Sequence, residues 1–150
     1  MWNWERHVLP PEIETDGLLV SSSQDGLREG CQAAIFRLSD DMIRKVKRDG
    51  IAALGGWPRP PNENERNPYS LWRETPGWID LKHNGQGSTR TVYGLYAMGG
   101  CGGDSGERFG KYPVELALTR PGSYFATTAN REGIIIVAPI QKIVAYYYFG

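Results

Sequence analysis

The residues whose types best suit chemistry stand in one glycine-rich segment, Gly99–Gly110, in which six of twelve residues are glycine. Asp104 and Ser105 are adjacent there, so a hydroxyl nucleophile or an oxygen-lined calcium site has to be considered. A serine hydroxyl needs a neighbouring base, and calcium takes six to eight oxygen ligands. The spacing in this segment meets neither requirement, so we predict no metal site and no cofactor.

The hexapeptide Cys101-Gly-Gly-Asp-Ser-Gly106 is similar to the segment around the nucleophile of chymotrypsin-like serine proteases. The resemblance implies a serine nucleophile at Ser105, with a histidine as base and an aspartate that orients it. It covers six residues, and Glu107-Arg108 follows where that family continues with Gly-Pro. Neither His7 nor His83 stands in a segment like that of the family's histidine. We therefore predict no catalytic residues, and a small hydrolase with an unfamiliar site in this loop is an alternative.

Cys31 and Cys101 are the two cysteines of the chain. Neither His7 nor His83 has zinc-ligand spacing with them, so a single disulfide is the favoured interpretation, and two unrelated buried thiols are the alternative. A disulfide indicates an oxidising compartment, so we expect a periplasmic or secreted protein. Met1–His7 has no basic region followed by an apolar run, so it shows no signal peptide.

Aromatic residues border two predicted loops, one rich in proline and one rich in glycine. Trp, Tyr and Arg contribute a large share of binding energy at protein interfaces, and loops on a rigid sheet commonly carry such contacts. The alternative is that these aromatics pack on the core beneath the long loop. The predicted partner-binding residues are Trp57, Tyr69, Trp72, Trp78, Asp104 and Arg108.

Length, charge and hydropathy limit the class of protein. A chain of 150 residues fits one domain. Its 17 basic and 17 acidic residues cancel, which argues against a nucleic-acid partner held by a global basic field. No apolar run approaches the roughly 20 residues that span a bilayer, so no membrane span is predicted.

One main helix is predicted at Asp40–Asp49. Ser39 is a preferred N-cap residue, acidic residues occupy the first turn and basic residues the later turns, as the helix dipole favours. Gly50 suits the left-handed position just past the helix end. A narrow apolar stripe should face the sheet, and it consists of Met42, Ile43 and Val46.

The C-terminal residues predict a hairpin of two strands at Ile134–Ala138 and Ile143–Phe149, because both runs are short and rich in β-branched and aromatic residues. Neither run alternates between apolar and polar residues, so both faces should be covered and the hairpin should be central in a sheet. One helical turn is predicted at Ser70–Glu74. Further strands are predicted at Gly17–Ser23, Cys31–Leu38, Trp78–Lys82, Thr91–Ala97, Pro113–Thr119 and Tyr124–Thr128.

These patterns predict an α+β fold with an antiparallel sheet of five to seven strands and the helix on one face. Residues 1–16 are expected to form an extended N-terminal arm, and residues 17–150 one domain with a long proline-rich surface loop at 55–69. We predict a non-enzymatic, exported binding protein that inhibits or neutralises a protein partner, such as a toxin or hydrolase. A carbohydrate- or peptide-binding module is a further alternative.

Overall fold

The computed structural model describes residues 4–25, 30–55, 69–76, 78–83, 86–91, 111–112, 114–127 and 133–149. Within these ranges two short 3-10 turns, at Trp4–His7 and Gly50–Leu54, accompany two α-helices and eight strands. The helices are α1 (Asp40–Asp49) and α2 (Val114–Thr119). The strands are β1 (Thr15–Asp25), β2 (Gly30–Leu38), β3 (Arg73–Glu74), β4 (Trp78–His83), β5 (Gln86–Thr91), β6 (Tyr124–Thr127), β7 (Gly133–Ala138) and β8 (Ile143–Phe149).

Six of the strands form one antiparallel sheet in the order β1-β2-β8-β7-β6-β3. The hairpin of β7 and β8 occupies the two middle positions, as its apolar composition predicted. The α+β class and the size of the sheet are confirmed as well. Strands β4 and β5 pair with each other in a separate two-stranded sheet.

The central hairpin is covered on both faces by a helix. Every residue of β7 is buried, and successive side chains enter opposite faces of the sheet. Ile136 belongs to the core cluster that contains Leu118 of α2, whereas Ile135 belongs to the cluster that contains Met42 of α1. Burial of one such aliphatic side chain is worth about 1.5–3 kcal/mol, so the two-sided cover is a large part of the stability.

Helix α1 has the bounds that its sequence predicted. The Ser39 Oγ accepts a hydrogen bond from the Met42 backbone N–H at 3.1 Å, which satisfies one of the free donors at the helix start. Gly50 ends the helix with φ of 62°, and its N–H donates to the Val46 carbonyl. The predicted apolar stripe of Met42, Ile43 and Val46 is buried.

The strand predicted at Pro113–Thr119 is wrong, because Val114–Thr119 is helix α2. The apolar residues of this segment fit both the two-residue period of a strand and the 3.6-residue period of a helix. Val114 and Leu118 are four residues apart and are buried with Ala117, as on one face of a helix, while Leu116 is 44% exposed. Because the segment is helical, its buried side chains lie on one side and cover the second face of the central hairpin.

Smaller predictions also need correction. The turn of helix predicted at Ser70–Glu74 is wrong, since Arg73 and Glu74 form β3 and pair with Phe125 and Tyr124. The strand that pairs with β4 is Gln86–Thr91 rather than Thr91–Ala97, and the pairing reaches His83 opposite Gln86. Residues 92–97 and 56–68 lie outside the described residues, and the division into an arm and one domain stays a prediction.

The two edges of the described sheet differ in length and in hydrogen bonding. β1 runs for eleven residues, whereas β3 has two. Just after β3, the Thr75 N–H donates to the Ser123 carbonyl at 2.9 Å, and its Oγ1 donates to the Arg120 carbonyl at 2.7 Å. Pro76 follows and has no backbone N–H. The β3 edge is therefore short and ends in internal hydrogen bonds.

The helical assignment of α2 makes a testable prediction. Leu118→Ala should lower the free energy of unfolding by about 2–5 kcal/mol, because it opens a cavity at a side chain that is 2% exposed. Leu116→Ala, at a side chain that is 44% exposed, should cost less than about 1 kcal/mol. Urea denaturation of both variants measures the difference. Equal costs would contradict the helix, since a strand places both residues on one face.

Candidate functional site

The structure places two of the predicted partner-binding residues in the core. Tyr69 is 6% exposed and Trp72 is 4% exposed, and both belong to the cluster that contains Met42 of α1 and Leu54. Trp78 begins β4. In this fold Tyr69 and Trp72 are core residues and do not present their rings at the surface.

The other predicted site residues lie outside the described residues. They are Trp57, Cys101, Asp104, Ser105 and Arg108. Their roles stay predictions, and so does the hydrolase alternative in the glycine-rich loop.

Cys31 lies near the start of β2, opposite Gln24 of β1 and Phe149 of β8. It is 8% exposed and does not carry a free thiol. Its predicted partner lies outside the described ranges, so the pairing of the two cysteines stays a prediction. A bond at Cys31 would attach a distant part of the chain to the second strand of the sheet.

The most accessible binding feature in the described structure is the outer edge of β1, here called the β1 edge. β1 hydrogen-bonds to β2 on one side, and no described strand pairs with its other side. Irregularities between Thr15 and Gly17 and between Leu18 and Val20 interrupt the first half. From Val20 to Asp25 the pairing with β2 is in continuous register. This half is a straight row of backbone donors and acceptors.

The composition of β1 adds little edge protection to its two irregularities. Edge strands of natural proteins are commonly blocked by lysine, proline or a covering element, because an open edge pairs with other chains. β1 contains no lysine and no proline, and Ser21, Ser22 and Ser23 carry small side chains. Leu18 is 44% exposed and Leu19 is 39% exposed in the irregular half. Among the described residues, no strand lies beside Val20–Asp25, the half of β1 that is in continuous register.

A cavity of about 490 Å³, here called the arm cleft, adjoins the irregular half of β1. It is lined by residues of the segment 5–13, by Thr15, Gly17 and Leu18 of β1, and by Phe36 of β2. Ile13 of the segment is buried in the cluster on the α1 side of the sheet, so the segment is packed onto that face. The lining is mixed: Leu9, Ile13 and Phe36 are apolar, whereas Glu5 and Thr15 carry polar atoms.

One polar contact joins the N-terminal segment to the middle of β1. The Ser21 hydroxyl donates to the Glu5 carboxylate, with Oγ and Oε1 2.9 Å apart. Glu5 also lines the arm cleft, so its carboxylate is held at the cleft by this bond. Gly17 has φ of 131°, which side chains other than glycine rarely adopt, and no atom lies within 4 Å of where its Cβ would stand. The cleft is thus open beside Gly17.

The region around the arm cleft is acidic. Residues 4–25 contain five acidic residues, Glu5, Glu12, Glu14, Asp16 and Asp25, and one arginine, Arg6. Glu14 and Asp16 are exposed at the start of β1. Arg37 pairs with Gly17 across β1 and β2, but its guanidinium lies 3.4 Å from the Asp40 carboxylate. Of the five acidic residues, Glu5 is the one found among the described residues that line the cleft.

Exposed ion pairs occupy the outer face of α1. Arg44 pairs with Asp41 and Arg48 pairs with Asp49. The hydrogen bond from Arg48 holds the pKa of the Asp49 carboxyl below its usual value, and the charges of Arg48 and Lys45 act in the same direction. Solvent screens surface pairs of this kind, so they add little stability and this face is a solvated helix surface.

Trp72 carries a buried polar group without a partner. Within the described part of the chain its indole N–H has no acceptor at hydrogen-bond distance, although the side chain is 4% exposed. An unsatisfied buried donor costs about 1–3 kcal/mol. Trp72 therefore stabilises the core through its apolar contact area. The cost of burying its indole N–H offsets part of that stabilisation.

Comparison of the chain with protein-family models, with curated proteins and with solved structures finds no match. In the described ranges, no helix is long and apolar enough to cross a membrane. The same residues contain no group of three or more His, Cys, Asp or Glu side chains placed to hold a metal ion. The candidate site therefore rests on the geometry of β1 and the arm cleft.

Sequence patterns missed this site for a specific reason. The strand Gly17–Ser23 was predicted, but its position at the edge depends on which strands pair, and that follows from the whole sheet. The lack of lysine and proline in this strand was the available signal. The arm cleft left no signal, since the residues that line it belong to three separate stretches of chain.

The core position of Trp72 makes a second prediction. Trp72→Ala should lower the free energy of unfolding by about 3–5 kcal/mol. Trp72→Phe should cost clearly less, because it keeps most of the ring contacts and removes the donor that lacks a partner. Urea denaturation measures both, with Leu71→Ala as a control at a side chain that is 46% exposed. A Trp72→Ala cost as small as that of Leu71→Ala would argue that Trp72 is a surface residue.

Proposed function

We propose that this chain is a non-enzymatic, exported binding protein that inhibits or neutralises a protein partner. The observation that carries the proposal is the β1 edge, a strand of eleven residues that no described strand covers and that contains no lysine or proline. An open edge of this length is a surface that recognises protein backbone.

Strand addition is the mode of binding that this surface supports. An extended segment of the partner pairs with β1, so that backbone hydrogen bonds supply affinity and side-chain contacts supply specificity. Val20–Asp25 offers continuous register for such pairing, and the exposed Leu18 and Leu19 add apolar contact area. A partner segment held in this way is withdrawn from its own function, which is how a binding protein neutralises a toxin or a hydrolase.

The predicted loop residues are proposed as additional contacts with the partner. Trp57, Trp78, Asp104 and Arg108 are proposed to touch the partner outside the β1 edge. Tyr69 and Trp72 are proposed to act indirectly, through the stability of the core in which they are buried.

The test is capture of a partner and inhibition of its activity. The full chain, immobilised through its C-terminus, is incubated with the secreted and periplasmic proteins of its source organism, and retained proteins are identified by mass spectrometry. Leu19→Lys places a charge on the β1 edge and should remove the specific partner. The matched control is Leu71→Lys, the same change at a side chain that is 46% exposed outside the proposed interface. Equimolar wild-type chain should inhibit the purified partner.

Two results would contradict the proposal. One is that Leu19→Lys and Leu71→Lys retain the same proteins as the wild type. The other is that a protein lost with Leu19→Lys keeps its full activity in the presence of the wild-type chain. Unchanged unfolding midpoints of both variants ensure that a loss of capture reports on the surface.

Export is proposed together with a disulfide between Cys31 and Cys101, supported by the absence of a free thiol at Cys31. Unfolded, unreduced protein should incorporate no thiol-alkylating label, and both cysteines should be labelled after reduction. Reduction should also lower stability by a few kcal/mol, because a long loop is no longer closed in the unfolded state. Labelling of both cysteines before reduction would disprove the bond.

A further inference from the structure

We propose that two copies of this chain pair reversibly through their β1 edges, in antiparallel orientation about a two-fold axis at Ser22. The resulting dimer covers the β1 edge until a partner segment replaces the second copy. The replacement step rests on the proposed function, because both pairings use the same strand. The dimer itself depends only on the geometry and composition of β1.

The backbone of β1 is suited to pairing with a second β1 strand. Val20–Asp25 is in continuous register with β2, so its outer side presents a regular series of donors and acceptors. The irregularity between Leu18 and Val20 leaves Leu19 without a partner residue in β2, so regular pairing begins at Val20. In the described part of the chain no strand lies beside this series. A second copy presents the identical series.

A two-fold axis at Ser22 makes the middle of the interface self-complementary. In an antiparallel pair such an axis, perpendicular to the sheet, passes between a residue and its own copy. Ser22 then faces Ser22 of the second copy, and Ser21 faces Ser23 of the second copy. Directly opposite residues share a face, with Cβ atoms about 4.5–5.5 Å apart, and serine hydroxyls hydrogen-bond across strands at this separation. Three small side chains in succession therefore leave the approach of the second strand unobstructed.

The charge on this part of the chain permits a second copy. Natural edge strands commonly carry lysine or other charges that repel an identical strand. Residues 20–24 carry no charge, and the formal net charge of the chain is zero, so the two copies have no net repulsion. The Glu5 carboxylate, bonded to Ser21, is the described acidic group nearest in contact to this stretch. Salt screens its repulsion of its own copy, over about 8 Å at 0.15 M ionic strength.

The short extent of the pairing makes the dimer weak. Regular backbone on both sides of the axis covers Val20 to Gln24 of each copy. Stable interfaces bury about 1,200–2,000 Å² and involve about 20–30 residues a side, well above what such a short strand pair supplies. The two-fold axis also closes the assembly at two copies, because each copy uses its β1 edge once. A partner segment that adds side-chain contacts therefore replaces the second copy readily.

Sedimentation velocity of the purified full chain tests the dimer, over a concentration range that reaches the solubility limit. The wild type should convert reversibly from monomer to dimer as its concentration rises. Ser22→Lys should weaken association about fivefold or more, because two ammonium groups meet at the axis, and Ser22→Glu should do the same with two carboxylates. The matched controls are Leu116→Lys and Leu116→Glu, at an exposed side chain of α2, and they should associate like the wild type.

A mixture of the two Ser22 variants tests the position of the axis. Equimolar Ser22→Lys and Ser22→Glu should recover association, because lysine then faces glutamate, and the unfolding midpoints of both variants should equal that of the wild type. Hydrogen exchange of the wild type gives a measurement that needs no variant. The amides of Val20–Gln24 should exchange more slowly at high than at low protein concentration.

Three results would overturn the dimer. They are a wild type that stays monomeric at every concentration, exchange at Val20–Gln24 that is independent of concentration, and a mixture that associates no better than either Ser22 variant alone. If a partner is still captured by the wild type and lost with Leu19→Lys, the proposed function survives that failure. A confirmed dimer without any captured partner would retain the dimer and remove the proposed function. A partner complex that holds two paired copies of the chain would disprove the replacement step.

Discussion

Two-sided burial of the β7–β8 hairpin is the constraint on which the rest of the structure depends. Two adjacent strands with apolar side chains on both faces cannot be stable unless another layer covers each face. Helix α1 supplies one cover, with Met42, Ile43 and Val46, and α2 supplies the other, with Val114, Ala117 and Leu118. The remaining strands extend the sheet outwards from this hairpin, and the open strand β1 results from that extension.

The elements that sequence reasoning predicted correctly are those with independent local signals. α1 has a capping serine, acidic and basic residues arranged along the helix dipole, and a glycine at its end, and its bounds agree with the prediction. The hairpin has two β-branched runs separated by a proline-containing turn. α2 lacks such signals, and its apolar residues at 114, 116 and 118 fit a strand while those at 114, 117 and 118 fit a helix. The choice between the periods is made by tertiary packing, because the face of β7 opposite α1 needs a cover.

The candidate site was less predictable than the fold. Composition indicated that aromatic residues near loops would face a partner, yet Tyr69 and Trp72 are buried in the α1 cluster. An aromatic ring is as useful in a core as at an interface, and the sequence around it does not distinguish the two. The β1 edge and the arm cleft depend on strand order and on how residues 5–13 lie on the sheet. Both are properties of the assembled structure.

The unequal edges of the sheet have a consequence for stoichiometry. A chain that can add strands at both edges acts as a link, and successive additions lead to fibres. In the described sheet the β3 edge is two residues long, and the bonds of Thr75 to Arg120 and Ser123, followed by Pro76, terminate it. Within the six-stranded sheet, the β1 edge is therefore the longer of the two described edges. If the proposed binding at the β1 edge holds, the chain would take up one extended segment there, and the described six-stranded sheet would leave only the short β3 edge for a further strand.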